Sequence, residues 1–303
     1  MNKNFLNTTD KIASTHLGKK SSGSESYDSS LLVAIPRIEN RKQYNIENSN
    51  LPFIGFDIWH AYEFSSLTKN NIPFTKVLKI KYNCDSEFLI ESKSLKLYLN
   101  SFNMSQFGNT IEEALEICKE IIIKDLSEIL KTKVEVKILD ASTRQEILYN
   151  NFKELKDLID ENQISVEKFK EAPEVLTTEN KNETKEYYIK FSALRSNCRV
   201  THQPDFGTAY IYYKSKKHIF ESSLIKYLTS FRSEYHFHEE CTEMIYKRLE
   251  AILDKDDELF VSALYTRRGG IDICPSRWSK NCSFHEVEKL LDLNSYAVSG
   301  IMQ

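Results

Sequence analysis

Four short segments of the chain carry residues that could do chemistry. The first runs Leu194-Arg-Ser-Asn-Cys-Arg-Val-Thr-His-Gln-Pro-Asp-Phe-Gly207. Cys198 stands between Arg195 and Arg199, and neighbouring positive charge lowers a thiol's pKa and raises its thiolate fraction. Asp205 follows across a His-Gln-Pro turn. A thiolate with an acid nearby suits attack on an electrophilic carbon, with a proton delivered to the group left behind. The plainer reading is a buried structural cysteine and a solvated aspartate.

The second segment is Tyr235-His-Phe-His-Glu-Glu-Cys241. His, Glu and Cys are all zinc ligands, but the spacing is poor for one. On a helix His236 and His238 point about 200° apart, and only His238 shares a face with Cys241, so no metal is expected. Acids in a first helical turn also answer the helix dipole, which accounts for Glu240 and Glu243 better than for the His238–Glu239 pair. The third segment is Phe88-Leu-Ile-Glu-Ser-Lys-Ser-Leu-Lys96. Strand alternation sets Glu91 opposite Ile90 and Ser92, either as an edge guard or as a carboxylate accepting paired N–H groups of a guanine-like or pterin-like edge. The fourth, Tyr265-Thr-Arg-Arg-Gly-Gly-Ile-Asp272, reads as a tight turn presenting guanidinium groups, which suits phosphate and equally suits a solvated hairpin.

The elements that must position these groups recur. Glu91-Ser-Lys-Ser-Leu-Lys-Leu-Tyr-Leu-Asn-Ser-Phe-Asn103 and Glu221-Ser-Ser-Leu-Ile-Lys-Tyr-Leu-Thr-Ser-Phe-Arg232 share Glu-Ser, a Lys, Tyr-Leu and Ser-Phe once a gap is allowed. Each precedes an amphipathic helical pattern, 111–130 and 239–253, and then a β-like run, 133–139 and 259–265. Strand-like runs precede them at 76–82 and 87–93, and at 187–194 and 208–213. This order predicts an α+β fold, antiparallel sheets with helices packed on one face, duplicated within the chain. The expected organisation is an N-terminal arm (1–50), a first module (51–150), a helix with a charged linker (151–186) and a second, catalytic module (187–303).

Composition narrows the function classes. Eight glycines and six prolines among 303 residues are well under the usual share of about 12%. No G-x-G-x-x-G or P-loop spacing occurs, so a nucleotide, if used, is held without either device. A net charge of −3 argues against a dedicated nucleic-acid binder, and no run is long and apolar enough for a membrane span. The N-terminus has no apolar export signal, so a cytoplasmic location with six free cysteines is expected.

Together the four segments resemble the nitrile oxidoreductase family, the NADPH-dependent 7-cyano-7-deazaguanine reductases of queuosine biosynthesis. Glu91-Ser-Lys-Ser-Leu-Lys-Leu-Tyr is similar to the family signature, and Ser196-Asn-Cys198 through His202-Gln-Pro-Asp205 to its catalytic segment. Phe237-His-Glu239 and Thr266-Arg-Arg-Gly-Gly270 match further motifs. Leu17-Gly-Lys19, Tyr27-Asp28, Ile35-Pro-Arg37, Asp57-Ile-Trp59 and Ala61-Tyr-Glu63 resemble the long, two-module form. Phe206 and Cys274 depart from the Trp and Asn of better-known members.

The resemblance implies a tandem tunnelling fold and reduction of a deazaguanine nitrile to an aminomethyl group by two NADPH. It casts Cys198 as nucleophile, Asp205 as general acid and His238 as donor in the later step. Ile90, Glu91, Ser92, His238 and Glu239 would bind the substrate, and Ser92, Lys93, Arg268 and Gly269 the cofactor. A homodimer with a small-molecule substrate, and neither nucleic-acid nor membrane partners, is implied. The competing readings are a tunnelling-fold cyclohydrolase or pterin-type synthase with a metal- or His-centred site, and a non-catalytic purine-binding module that needs Glu91 and Glu239 but not Cys198.

Overall fold

Long strands and two repeated helix pairs form the framework of the described residues. The computed structural model describes residues 26–140 and 142–298; Leu17-Gly-Lys19 and the first half of the expected arm lie outside the described residues. In chain order the elements are β1 (Ala34–Pro36), α1 (Ile38–Arg41), β2 (Ile54–Leu67), β3 (Pro73–Asn83), β4 (Phe88–Ile90), α2 (Ser92–Asn100), α3 (Ile111–Leu130), β5 (Val134–Leu139), β6 (Arg144–Ile147) and β7 (Lys153–Glu154). There follow β8 (Thr178–Asn197), β9 (Pro204–Ile219), α4 (Glu221–Thr229), α5 (His238–Glu250), β10 (Glu258–Tyr265), β11 (Ile271–Trp278), α6 (Val287–Leu291) and β12 (Ser295–Val298). One eight-stranded sheet runs in the order β5-β3-β2-β11-β10-β9-β8-β7, antiparallel except for the short β7–β8 pair.

The two halves repeat one topology. The β2–β3 hairpin is followed by α2 and α3, and β5 then pairs with β3. The β8–β9 hairpin is followed by α4 and α5, and β10 then pairs with β9. The half-sheets join where β2 pairs with β11. At that seam Gly55 lies so close to β11 that a Cβ would collide with the Ser276 carbonyl.

Side chains repeat as well. Ser94 and Ser223 each donate to the carbonyl of an N-cap, Glu91 and Phe220, at 2.7 and 2.8 Å. Ser101 and Ser230 each donate to a tyrosine carbonyl, Tyr98 and Tyr227, at 2.6 Å. Those tyrosines meet Phe102 and Phe231 edge-to-face at 5.4 and 5.5 Å. The repeat therefore needs no gap, and Glu91 corresponds to Phe220 rather than to Glu221.

In α3 the apolar spacing buries Ala114, Cys118, Ile122, Leu126 and Leu130, and Thr110 caps its N-terminus. These residues and α2 pack on the first half-sheet; α4 and α5 pack on the second. The opposite face is covered too, by Leu148, Tyr149, Phe152, Phe284 and α6, so helices are not confined to one face.

The segment 151–186 differs from its expected form. It holds no α-helix, only β7 and single 3-10 turns such as Leu155–Leu158, and its last quarter, from Thr178, is the start of β8. The Lys- and Glu-rich composition that reads as helix and linker is instead the exposed end of a paired strand, which needs no apolar face of its own.

Candidate active site

Strand pairing, a helix cap and a hairpin turn bring the four reactive segments to one cavity of about 440 Å³. Ile90, Glu91, Ser92, Lys93, Cys198, Asp205, His238, Glu239, Arg268 and Gly269 all line it. Both halves contribute, so the cavity lies at their junction.

Cys198 opens the loop between β8 and β9. Its backbone N–H donates to the Gln203 carbonyl at 2.8 Å, and the His202 N–H donates back to its carbonyl at 2.9 Å. This tight closure uses a left-handed His202, φ 60°. The thiol is half-buried, with the Thr201 N–H 3.5 Å from Sγ. The flanking arginines have structural partners. Arg195 donates to the Arg232 carbonyl and to Asn197. Arg199 donates to both carboxylate oxygens of Glu240 at 3.1 Å, tying the loop to the first turn of α5.

Asp205, on β9 opposite Ser196, is 3% exposed. It forms an ion pair with Arg268, and its second oxygen lies 3.4 Å from His238 Nε2. The His238 ring stacks on Tyr265, centroids 3.8 Å apart. Burial lowers its pKa to about 3, so the imidazole is neutral at physiological pH. Glu239, the next residue of α5, has one buried carboxylate oxygen without a hydrogen-bond partner. Burial, then the charge of Asp57, raises its pKa to about 8 against the pull of Arg37 and Arg277.

Glu91 is not a strand residue. It is the N-cap of α2, accepting the Lys93 N–H at 2.9 Å and the Ser94 N–H at 2.6 Å. Strand alternation fails here because β4 is only three residues long and the chain turns into α2 at once. The Ser92 hydroxyl also reaches Glu91 Oε1 at 3.5 Å. Arg268 and Gly269 occupy the β10–β11 turn, where Gly269 and Gly270 take φ of 58° and 81°.

The cavity also uses residues to which the sequence reading gave no role: Trp59, Lys96, Gln203 and Phe237. Lys96 was within reach, since it lies one turn past Lys93 once α2 is seen to start at Ser92; nothing local marks the others. Cys241 is fully buried in the second core and is not among the cavity residues, so it cannot join His238 as a metal ligand there. The one cluster of metal-type donors among the described residues is His60, Asp272 and Cys274. Its members bond to each other, with His60 Nδ1 2.7 Å and Cys274 Sγ 3.7 Å from the same Asp272 oxygen.

A family described as nitrile reductase, 7-cyano-7-deazaguanine-reductase N-term, matches residues 24–138. A second, QueF-like protein, matches residues 204–283. The NADPH-dependent 7-cyano-7-deazaguanine reductase of Rickettsia felis is 41% identical over 268 residues, covering 88% of this chain and 94% of that protein. The chain belongs to the 7-cyano-7-deazaguanine reductase family. A reductase of the same name from Colwellia psychrerythraea is 38% identical over 281 residues, 91% of this chain and 95% of that protein. The matched spans include all four reactive segments except Cys198, His202 and their immediate neighbours in the second family, which the full-length relatives cover.

Proposed function

We propose that this protein reduces the nitrile of 7-cyano-7-deazaguanine to a primary aminomethyl group with NADPH, in queuosine biosynthesis, through a covalent thioimide on Cys198. The observation that carries this reading is the convergence of a half-buried thiol, an acid–imidazole pair, a helix-capping glutamate and a first-turn glutamate on one cavity. The cations Lys93 and Arg268 in the same lining fit an anionic dinucleotide where a glycine-rich phosphate turn is lacking. NADPH, when bound, supplies a hydride, and two are consumed because nitrile to amine takes four electrons.

The protein's residues supply the rest. Cys198 Sγ bonds to the nitrile carbon as one C≡N π bond breaks; Asp205, a carboxylate paired with Arg268, takes the thiol proton and, as the acid it then is, gives it to the nitrogen. Loss of the thiolate after the first hydride restores Cys198 and leaves an imine for the second. His238 is held neutral by burial, so it passes a proton only in relay with Asp205, 3.4 Å away. Glu239 and Glu91 take the N–H groups of the guanine-like edge, beside Ile90 and Ser92. Ser92, Lys93, Arg268 and Gly269 contact the cofactor.

The duplicated topology supports a tandem tunnelling fold, with modules at 51–150 and 187–303 flanked by the arm and the 151–186 connection. The homodimer of the long form is the expected assembly, and light scattering in solution tests it. The functional experiment is loss of NADPH absorbance on adding 7-cyano-7-deazaguanine. Cys198→Ala should abolish both turnover and the adduct seen by intact-protein mass spectrometry. Full turnover in that variant sinks the mechanism.

A further inference from the structure

We infer that Arg199 and Glu240 are positioning residues: their ion pair sets where the Cys198 thiol stands relative to a ring held by Glu239, and so governs the rate of thiol addition. This rests on the thioimide reading of the cavity and adds two residues that act from behind it.

Cys198 lies just past the end of the sheet. The β8–β9 ladder closes where Asn197 meets Pro204, and Asn197 is itself stitched to the segment before α5. Its N–H donates to the Glu234 carbonyl at 2.8 Å, and its carbonyl accepts the His236 N–H at 3.1 Å. The loop 198–203 has to be placed by side chains. Gln203, at its far end, accepts from Arg268 at 3.1 Å. His202 packs on Tyr235, ring centroids 4.7 Å apart. Arg199, at the near end, donates from one guanidinium nitrogen to both oxygens of Glu240 at 3.1 Å.

The last tie differs from the others in what it joins. Arg199 follows Cys198 and Glu240 follows Glu239, so one ion pair couples the nucleophile to the carboxyl that grips the substrate edge. The two side chains are 11% and 4% exposed, and a pair sheltered in this way is screened much less than a surface one. The Arg199 charge is matched by Glu240, so it acts on the thiol through position more than through its field. Glu240 also has partners on its own side. It accepts the Phe237 N–H at 3.1 Å, and His236 Nδ1 stands 3.5 Å from it. Those contacts remain when Arg199 is cut back, so the first turn of α5, and Glu239 with it, keeps its place. Losing the arginine therefore loosens the thiol and leaves the grip on the ring intact.

The test separates addition from binding. In Arg199→Met the rate of thioimide formation, followed by rapid-quench intact-protein mass spectrometry, should fall about 10- to 100-fold, the cost of a nucleophile misplaced by about 1 Å. The Kd for 7-cyano-7-deazaguanine, titrated by calorimetry in a Cys198→Ala background, should stay within about twofold on adding Arg199→Met. Arg199→Lys keeps a cation facing Glu240 and should recover most of the rate. Alkylation of Cys198 by iodoacetamide, which brings no ring for Glu239 to hold, should also stay within about twofold in Arg199→Met. A Kd that rises in step with the loss of rate would make the pair scaffold, and alkylation that falls as far as adduct formation would make Arg199 a modifier of the thiol itself; either overturns the assignment. Equal adduct rates in wild type and Arg199→Met overturn it alone, whereas a wild type that forms no adduct overturns the thioimide reading and the positioning role with it.

Discussion

Glu239 sits in the first turn of α5, 2% exposed, with a carboxyl that keeps its proton to about pH 8 where the ordinary value is 4.5. A carboxyl raised in this way contributes stability that is fully present below about pH 4.5 and lost as pH rises through about 8. Glu239→Gln keeps the shape without the titration. Urea midpoints measured from pH 6 to 9 should fall for the wild type and hold level for the variant, so the variant becomes relatively more stable as pH rises. Binding runs the other way. Donors on a guanine-like edge favour the ionised carboxylate, so wild-type affinity for the nitrile should strengthen as pH rises toward 8. The variant, which presents an amide to those donors, should bind weakly at every pH. A wild-type midpoint that does not move between pH 6 and 9 would show that Glu239 is ionised throughout.

The repeated helix starts make a prediction at the level of elements. Ser94 accepts the Val33 N–H at 3.0 Å and Ser223 the Thr177 N–H at 3.1 Å, so each serine pins the strand entry before its half to the start of a helix. Ser94→Ala and Ser223→Ala each strand one backbone donor, and each should cost about 1–3 kcal/mol with values close to one another in chemical denaturation. Costs that differ by more than that range would separate the two helix starts energetically despite their shared geometry. What sequence could and could not reveal follows the same elements. The 111–130 helix was legible to the residue because its apolar spacing meets a single buried face. β2 was not, because it is central: Ile58, Trp59, His60 and Ala61 are all buried, so alternation disappears. Cys198, Asp205, His238 and Glu239 could be picked out by type, yet their meeting depends on β8–β9 register and on Arg199 reaching Glu240, which are tertiary facts. Glu91 as a helix cap was hidden by the three apolar residues before it, which read as a longer strand.

Across the whole molecule, one buried charge network holds the parts of the site together. Arg37 and Arg41 come from the arm, Asp57 from β2, Glu243 from α5 and Arg277 from β11, and none is more than 3% exposed. Arg41 grips both oxygens of Glu243 at 2.7 and 2.8 Å. Arg277 reaches Glu243 at 2.9 Å and Asp57 at 2.8 Å, and Arg37 pairs with Asp57. Glu243 lies one turn below Glu239, so the network fixes the helix start that faces the cavity. Burial opposes the Glu243 charge, but Arg41, Arg277 and Arg37 outweigh it and hold the pKa near 2. A depressed carboxylate contributes stability above about pH 4.5 and loses it as pH falls through about 2. The neutral His238 has the same sign, losing stability from about 6.5 down to about 3. Glu239 has the opposite sign down to about 4.5 and offsets His238 between pH 6.5 and 4.5. Below pH 4.5 His238 and Glu243 act together without that offset, at about 1.4 kcal/mol per pH unit each. The unfolding free energy from these groups should therefore change little from pH 6.5 to 4.5 and then drop steeply. Glu243→Gln should cost about 3–5 kcal/mol at neutral pH, because three buried guanidinium groups lose a partner, and should flatten the drop below pH 4.5. Nitrile binding should weaken in the same variant, since α5 carries both Glu239 and His238; unchanged binding with reduced stability would confine the network to the scaffold.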